Sequence, residues 1–342
     1  MSSQRSSAPA TDAELRTIAH EYRLFAECQA KGHSPVYETL SAAIAGDQRL
    51  LALLHALPSV KRQPNLLLAA ARHLGAPLDS AREFLTWVVR HWGQVSSLIL
   101  ARMTQTNESA RCATLLPVLA ALPQPLALIE VGASAGLCLY PDRYRYRYNQ
   151  SQAIGPADSP VTLTCRTTGP VPIPRQLPDV VWRTGVDLNP LDPSDPEDAS
   201  WLESLVWPEQ AERLQRLRGA LDVAREEPAH VVRGDLNETV RNLLAQAPKG
   251  ATPVIFHSAV LAYLSPEARA QFARTVRNLP CRWISNEAPS VFPALLDILP
   301  EPAPTDRATF VMALDERPIA FTGPHGELLH WFVDADLPAA CE

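Results

Sequence analysis

The sequence predicts an α/β protein with a helical N-terminal region, about residues 1–122, joined to a doubly wound, Rossmann-like parallel sheet over about 123–342. Three observations carry this. Apolar residues recur at helical spacing throughout the first third. A short apolar run, Leu126 to Val131, stops at a glycine. After it, candidate strands alternate with amphipathic helical stretches, the pattern that buries a parallel sheet under helices.

The helical region reads in order. Asp12 is placed to cap a helix whose apolar positions are Leu15, Ile18, Ala19, Tyr22, Phe25 and Ala26. Ser34 followed by Pro35 opens a second helix, since proline at the first turn loses no intrahelical hydrogen bond. Asp47 opens a third, and Ser80 with Glu83 forms a capping box before Phe84, Trp87 and Val88. A further helix is expected from Asn107 to Leu122, and no strand is expected before residue 123.

Beyond it, strands are expected at Val180–Asp187, Ala229–Arg233, Pro253–Ser258 and Cys281–Asn286. Helices are expected at about 208–226, from Asp235 to Ala247 and from Pro266 to Asn278. Residues 308–314, 318–322 and 327–333 read as antiparallel strands, with a Gly-Pro-His-Gly turn at 323–326. About 138–179 interrupts this order. Tyr144, Tyr146 and Tyr148 alternate with arginines, so they share one strand face, and the segment reads as an inserted β-hairpin. Its tyrosines and arginines suit stacking on an aromatic or anionic substrate, or simply an edge with one face on the core.

Composition excludes some classes. Lys and Arg number 31 against 37 Asp and Glu, a net charge of −6, so bulk attraction to nucleic acid or anionic membrane is not the default. No run of about 18 apolar residues marks a membrane span. The first ten residues are polar and lack the apolar core of a secretion signal. Six cysteines are scattered without CxxC spacing, which suits free thiols in a reducing cytosol. A cytoplasmic protein with a small-molecule substrate is expected; nucleic acid is not established as a partner and oligomeric state is not legible.

The most informative residues are Glu130-Val-Gly-Ala-Ser-Ala-Gly136. Glycines after a strand let the backbone turn sharply and approach a ligand closely. The spacing is neither the dinucleotide fingerprint nor a P-loop. One reading is the acidic, Gly-rich first motif of class I methyltransferases that use S-adenosylmethionine. Asp187, at the end of the next strand, is then placed for ribose hydroxyls, with Asn189 beside it. Asp235 and Leu236, after the third, lie at the adenine, and Ser258 ends the fourth strand beside the methyl-donor pocket. Glu130, Gly132, Ser134, Gly136, Asp187, Asn189, Asp235, Leu236 and Ser258 form the expected cofactor set, with no metal. His257 is the candidate general base, and Tyr263 and Glu287 are candidate substrate-pocket groups.

The second reading takes Gly132-Ala-Ser-Ala-Gly136 as a GxSxG nucleophile elbow, with Ser134 as nucleophile and His325 or His330 as base. Strands before residue 123 would favour it. A third is a non-catalytic ligand-binding protein of the same fold.

A resemblance bears on these. Gln105-Thr-Asn-Glu108, the 130–136 turn, Asp142-Arg-Tyr-Arg-Tyr146, Gly185-Val-Asp-Leu-Asn-Pro-Leu-Asp192, Trp207-Pro-Glu-Gln210, Val232-Arg-Gly-Asp235 and Phe256-His-Ser-Ala-Val-Leu-Ala-Tyr263 together resemble a bacterial family known as a domain of unknown function. The resemblance implies a methyltransferase-like fold and no particular substrate. The chain departs from the wider methyltransferase pattern at Ser134, where a glycine is usual, and in the inserted segment that follows.

Overall fold

The computed structural model describes residues 11–105 and 107–333. The polar N-terminal decapeptide, Thr106 and Cys341 lie outside the described residues. The chain divides into two compact units, Met1–Thr106 with Pro196–Gln215, and Asn107–Asp195 with Arg216–Glu342.

The first unit is helical among its described residues: α1 (Asp12–Leu24), α2 (Pro35–Gly46), α3 (Gln48–His55), α4 (Pro64–His73), α5 (Ala81–Arg90), α6 (Trp92–Ala101) and, from the later segment, α8 (Pro196–Leu205). The cap of α1 is Thr11 rather than Asp12. Thr11 is extended and its hydroxyl accepts the Glu14 N–H, while the Glu14 carboxylate accepts the Thr11 N–H at 2.9 Å. Asp12 therefore falls in the first turn, where it complements the helix dipole. Ser34, Asp47 and Ser80 cap α2, α3 and α5 as their types dictate. Buried indoles tie the later segment into this unit: Trp201 Nε1–H donates to Met103 O at 3.1 Å and Trp207 Nε1–H to Asn65 Oδ1 at 3.0 Å.

The second unit holds α7 (Cys112–Ala121), α10 (Leu236–Leu244), α11 (Pro266–Arg277) and the short α12 (Pro293–Leu296); α9 (Ala211–Glu226) begins in the first unit and lies mostly in this one. Its strands are β1 (Leu126–Val131), β2 (Arg145–Tyr148), β3 (Thr162–Thr168), β4 (Val180–Asp187), β5 (His230–Arg233), β6 (Thr252–Ser258), β7 (Arg282–Glu287), β8 (Phe310–Leu314), β9 (Arg317–Thr322) and β10 (Leu328–Trp331). They form one mostly parallel sheet in the order β2-β3-β10-β9-β8-β7-β6-β1-β4-β5. The protein is thus a mixed α/β structure with ten strands and twelve α-helices among the described residues.

Every residue of β1 is buried, as a central parallel strand requires. It pairs β4 on one side and β6 on the other, with Glu130 opposite Gly185 and Phe256. After β1 the chain first forms β2 and β3 at the far edge of the sheet, then β4 and β5 outward from β1, and then returns to β6 and continues to β7. Chain order therefore reverses between β1 and β6, and the carboxyl ends of five parallel strands face one way. Two turns close the antiparallel part. Asp315 and Glu316 both have positive φ, 49° and 64°, the geometry of a two-residue hairpin with matching twist. Gly326, at φ 79°, comes so close to the Ala110 carbonyl that a Cβ would lie 2.1 Å from its oxygen.

The inserted segment corrects one expectation. β2 and β3 pair in parallel, with Arg145 opposite Thr162 and Tyr148 opposite Cys165, so they are not a hairpin. The 149–161 connection crosses back before β3 begins, and β3 pairs in parallel with β10. The segment thereby extends the main sheet. The alternation of side chains is as expected, but it is the same for either pairing direction. Tyr144, Tyr146 and Tyr148 are all buried, and their hydroxyls donate to the carbonyls of Leu137, Pro141 and Ala113, each at 2.7 Å. These rings are core, not a stacking platform.

Candidate functional site

The turn after β1 is bound on both sides. Gly132 and Ala133 N–H groups donate to Val186 O at 2.8 and 3.2 Å. Asn107 clasps the turn with its amide: Nδ2 donates to Ala133 O at 3.0 Å and Oδ1 accepts the Leu137 N–H at 3.1 Å. Asp187, at the tip of β4, accepts the Ser134 N–H at 2.8 Å on one oxygen and the Asn189 N–H at 2.7 Å on the other. Gly132, Ser134 and Gly136 all have positive φ, at 72°, 51° and 71°. For Ser134 this conformation costs about 1–2 kcal/mol. The hydrogen bonds from Asn107 and Asp187 hold it there.

Two polar atoms at this turn have no partner. Glu130 Oε2 and Ser134 Oγ are buried and meet no hydrogen-bonding group among the described residues. Burial pushes the Glu130 carboxyl well above its usual value, and Cys138 adds to this; the nearby Arg111 charge opposes it. Arg111 is itself buried. Its guanidinium donates to Pro324 O at 2.9 Å and Ser258 O at 2.8 Å, bracing the loop after β6 against the 323–326 turn. Gly132 has a packing role. A Cβ there would lie 2.4 Å from the Val260 side chain, so the room that glycine leaves is taken by the loop after β6.

The tips of β6 and β7 hold a second cluster. His257 is 0 % exposed. Trp283 Nε1–H donates to its Nε2 at 3.0 Å, and its Nδ1 lies 2.7 Å from Glu287 Oε1. An indole N–H can only donate, so Nε2 accepts and the ring proton sits on Nδ1, donating to Glu287. Both ring nitrogens are thereby engaged. Glu287 Oε1 also accepts the Val260 and Leu261 N–H groups, at 2.9 and 3.1 Å. Its Oε2 is buried and meets no donor among the described residues. Ser258 Oγ accepts from Asn286 Nδ2 at 3.0 Å, and Asn286 Oδ1 accepts the Thr322 hydroxyl at 2.7 Å.

Residues 19–331 match the family described as "Uncharacterized protein conserved in bacteria (DUF2332)". The chain belongs to this family. No curated protein and no solved structure matches it.

Within this DUF2332 chain, the structure brings Glu130, Gly132, Ser134, Gly136, Asp187 and Asn189 together at the tips of β1 and β4. It gathers His257, Ser258 and Glu287 at β6 and β7. Asp235 is exposed and caps α10, accepting the Asn237 N–H at 2.7 Å. Leu236 packs against the apolar cluster under the sheet. Tyr263 is 80 % exposed on a short turn, outside the buried cluster. Glu108 is buried and paired with Arg216 at 3.0 Å. Trp283 is the partner that sequence reasoning missed; the available signal is that a buried indole N–H requires an acceptor.

The nucleophile-elbow constellation is not assembled. No base reaches Ser134 Oγ among the described residues. His330 is engaged by Thr168 and Glu301, and the His325 backbone N–H donates to Glu327. Before residue 123 the described residues hold helices and turns but no strand. Among the described residues no group of three His, Cys, Asp or Glu side chains is placed to hold a metal ion.

Proposed function

We propose that this protein binds S-adenosylmethionine across the carboxyl tips of β1, β4 and β5 and is a methyltransferase acting on a small-molecule acceptor. The observation that carries the reading is the pair of unpartnered buried atoms, Glu130 Oε2 and Ser134 Oγ, in a positive-φ turn beside the point where strand order reverses. In open α/β sheets, ligands bind outside the carboxyl ends of the strands at such a reversal. Buried polar atoms without partners are costly, about 1–3 kcal/mol each, and a polar ligand offsets that cost.

The residues present fit the group. Glu130 and Ser134 would meet its polar atoms. Asp187 spends one lone pair per oxygen on the turn, which leaves further lone pairs for two vicinal hydroxyls. Asp235, exposed at the next tip, is available to an exocyclic amine. The close approach falls to the Ser134 hydroxyl, because Val260 occupies the space at Gly132 and the amides of Gly132, Ala133, Ser134 and Gly136 already donate within the protein. The cofactor supplies an activated methyl group on a sulfonium centre. Methyl transfer needs chiefly alignment, so the engaged nitrogens of His257 are compatible with it: His257 acts by orienting Glu287 rather than by taking a proton.

Calorimetry with S-adenosylhomocysteine tests this. Binding is expected at one site per chain, weakened at least about tenfold, or about 1.4 kcal/mol, in Asp187→Ala and in Glu130→Ala. No binding at millimolar ligand removes the reading.

A further inference from the structure

The second cluster holds a feature that cofactor binding does not use. Glu287 Oε1 is saturated by three N–H donors, from His257, Val260 and Leu261. This fixes the carboxylate and leaves Oε2 bonded to none of the three. Oε2 is buried without a donor, and Glu287 lines a small cleft with Ala288, Pro289, Phe292, Leu295 and Val311. Apart from the carboxylate, every one of those side chains is apolar. A buried acceptor oxygen on a residue that lines an apolar cleft selects a group that donates hydrogen bonds and carries an apolar body.

We propose that this cleft binds a primary amine on a short aliphatic or aromatic body, its N–H groups donating to Glu287 Oε2 and its body lying along Phe292 and Leu295. The cleft is small, so a trimethylated head lacking N–H is excluded by both size and chemistry. His257 is a positioning residue here, holding Glu287 by one ring nitrogen while Trp283 holds the other. That the cleft is the acceptor subsite rests on the methyltransferase reading above; its preference for N–H donors does not.

Butylamine, butanol, butyrate and butyltrimethylammonium are compared at millimolar concentration, followed by calorimetry and by the amide resonances of Val260 and Leu261. Butylamine is expected to bind at least tenfold more tightly than the other three and to shift both resonances. Glu287→Gln sharpens the test. The three donors fix the glutamine carbonyl at the Oε1 position, so its NH2 faces the cleft. The preference should then invert, with butylamine lost and butyrate gained. Leu295→Trp, which fills the cleft and leaves the carboxylate in place, should abolish butylamine binding without touching Glu287. Equal binding of amine and alcohol overturns the proposal, as does amine binding indifferent to both substitutions. S-adenosylhomocysteine affinity is measured on the same samples. Amine selectivity without S-adenosylhomocysteine binding keeps the amine site and ends the methyltransferase reading. The reverse keeps the cofactor and ends the amine site.

Discussion

The two strand-tip clusters share a buried glutamate with one unpartnered oxygen, yet their support differs. At β1 the backbone is what is held: Asn107 and Asp187 grip the 132–136 turn, while Glu130 keeps one oxygen with no partner among the described residues. At β7 the side chain is what is held, by three N–H donors on one oxygen. The first arrangement builds a shaped main-chain surface beside an acid whose carboxyl burial holds above its usual range. The second builds a rigid acceptor. A site that grips an extended polar ligand needs the former, and one that orients a single donor group needs the latter.

The largest effect that would break this contrast is expected at Glu287. Glu287→Ala strands the His257 Nδ1–H and two backbone N–H groups in the core, and should cost about 3 kcal/mol or more in urea unfolding. A loss under 1 kcal/mol would mean that those donors find other partners and that the carboxylate is not the organising group.

Glu130 sharpens the same contrast through pH. Its folded-state pKa lies well above the ordinary 4.5, so the folded state binds the proton more tightly than the unfolded state. That contribution is full below about 4.5 and is lost as pH rises toward the folded-state value, with a slope of up to about 1.4 kcal/mol per pH unit. Glu130→Gln removes the titration, so the variant should gain stability relative to the parent between pH 5 and pH 8. A parallel pair of stability curves would show that Glu130 is not desolvated.

Ser134→Gly should relieve the positive φ and raise stability by up to about 1 kcal/mol in thermal unfolding, while weakening S-adenosylhomocysteine binding by removing the unpartnered hydroxyl. The opposite signs separate a strained functional residue from a packing one. The smallest effect belongs to Tyr263→Ala. At an exposed position it should change stability by no more than about 0.5 kcal/mol.

Much of this was legible in the residues. The buried run at 126–131 and its glycine stop, the strand over Val180–Asp187, and the caps at Ser34, Asp47 and Ser80 all follow from rules that act within a few positions. The acids at the tips of β1, β4 and β7 were legible because a strand end is where a short apolar run stops. The α1 cap fell one residue away because Thr11 and Asp12 are both competent, and only the reach of Glu14 chooses between them.

What the sequence determined by itself is therefore much of the local half of the protein: the strands around β1, the starts of α2, α3 and α5, and the face that each of those strands buries. Tertiary structure alone decided that β2 and β3 run in parallel, since alternation of tyrosine and arginine is blind to direction. It decided that Trp283 engages the last lone pair of His257, that Val260 takes the space beside Gly132, and that Glu130 and Glu287 each keep one oxygen without a partner among the described residues. The physical reason is range. Periodicity and capping are satisfied among neighbours, whereas a hydrogen-bonding vacancy is defined by groups brought together from strands far apart in the chain.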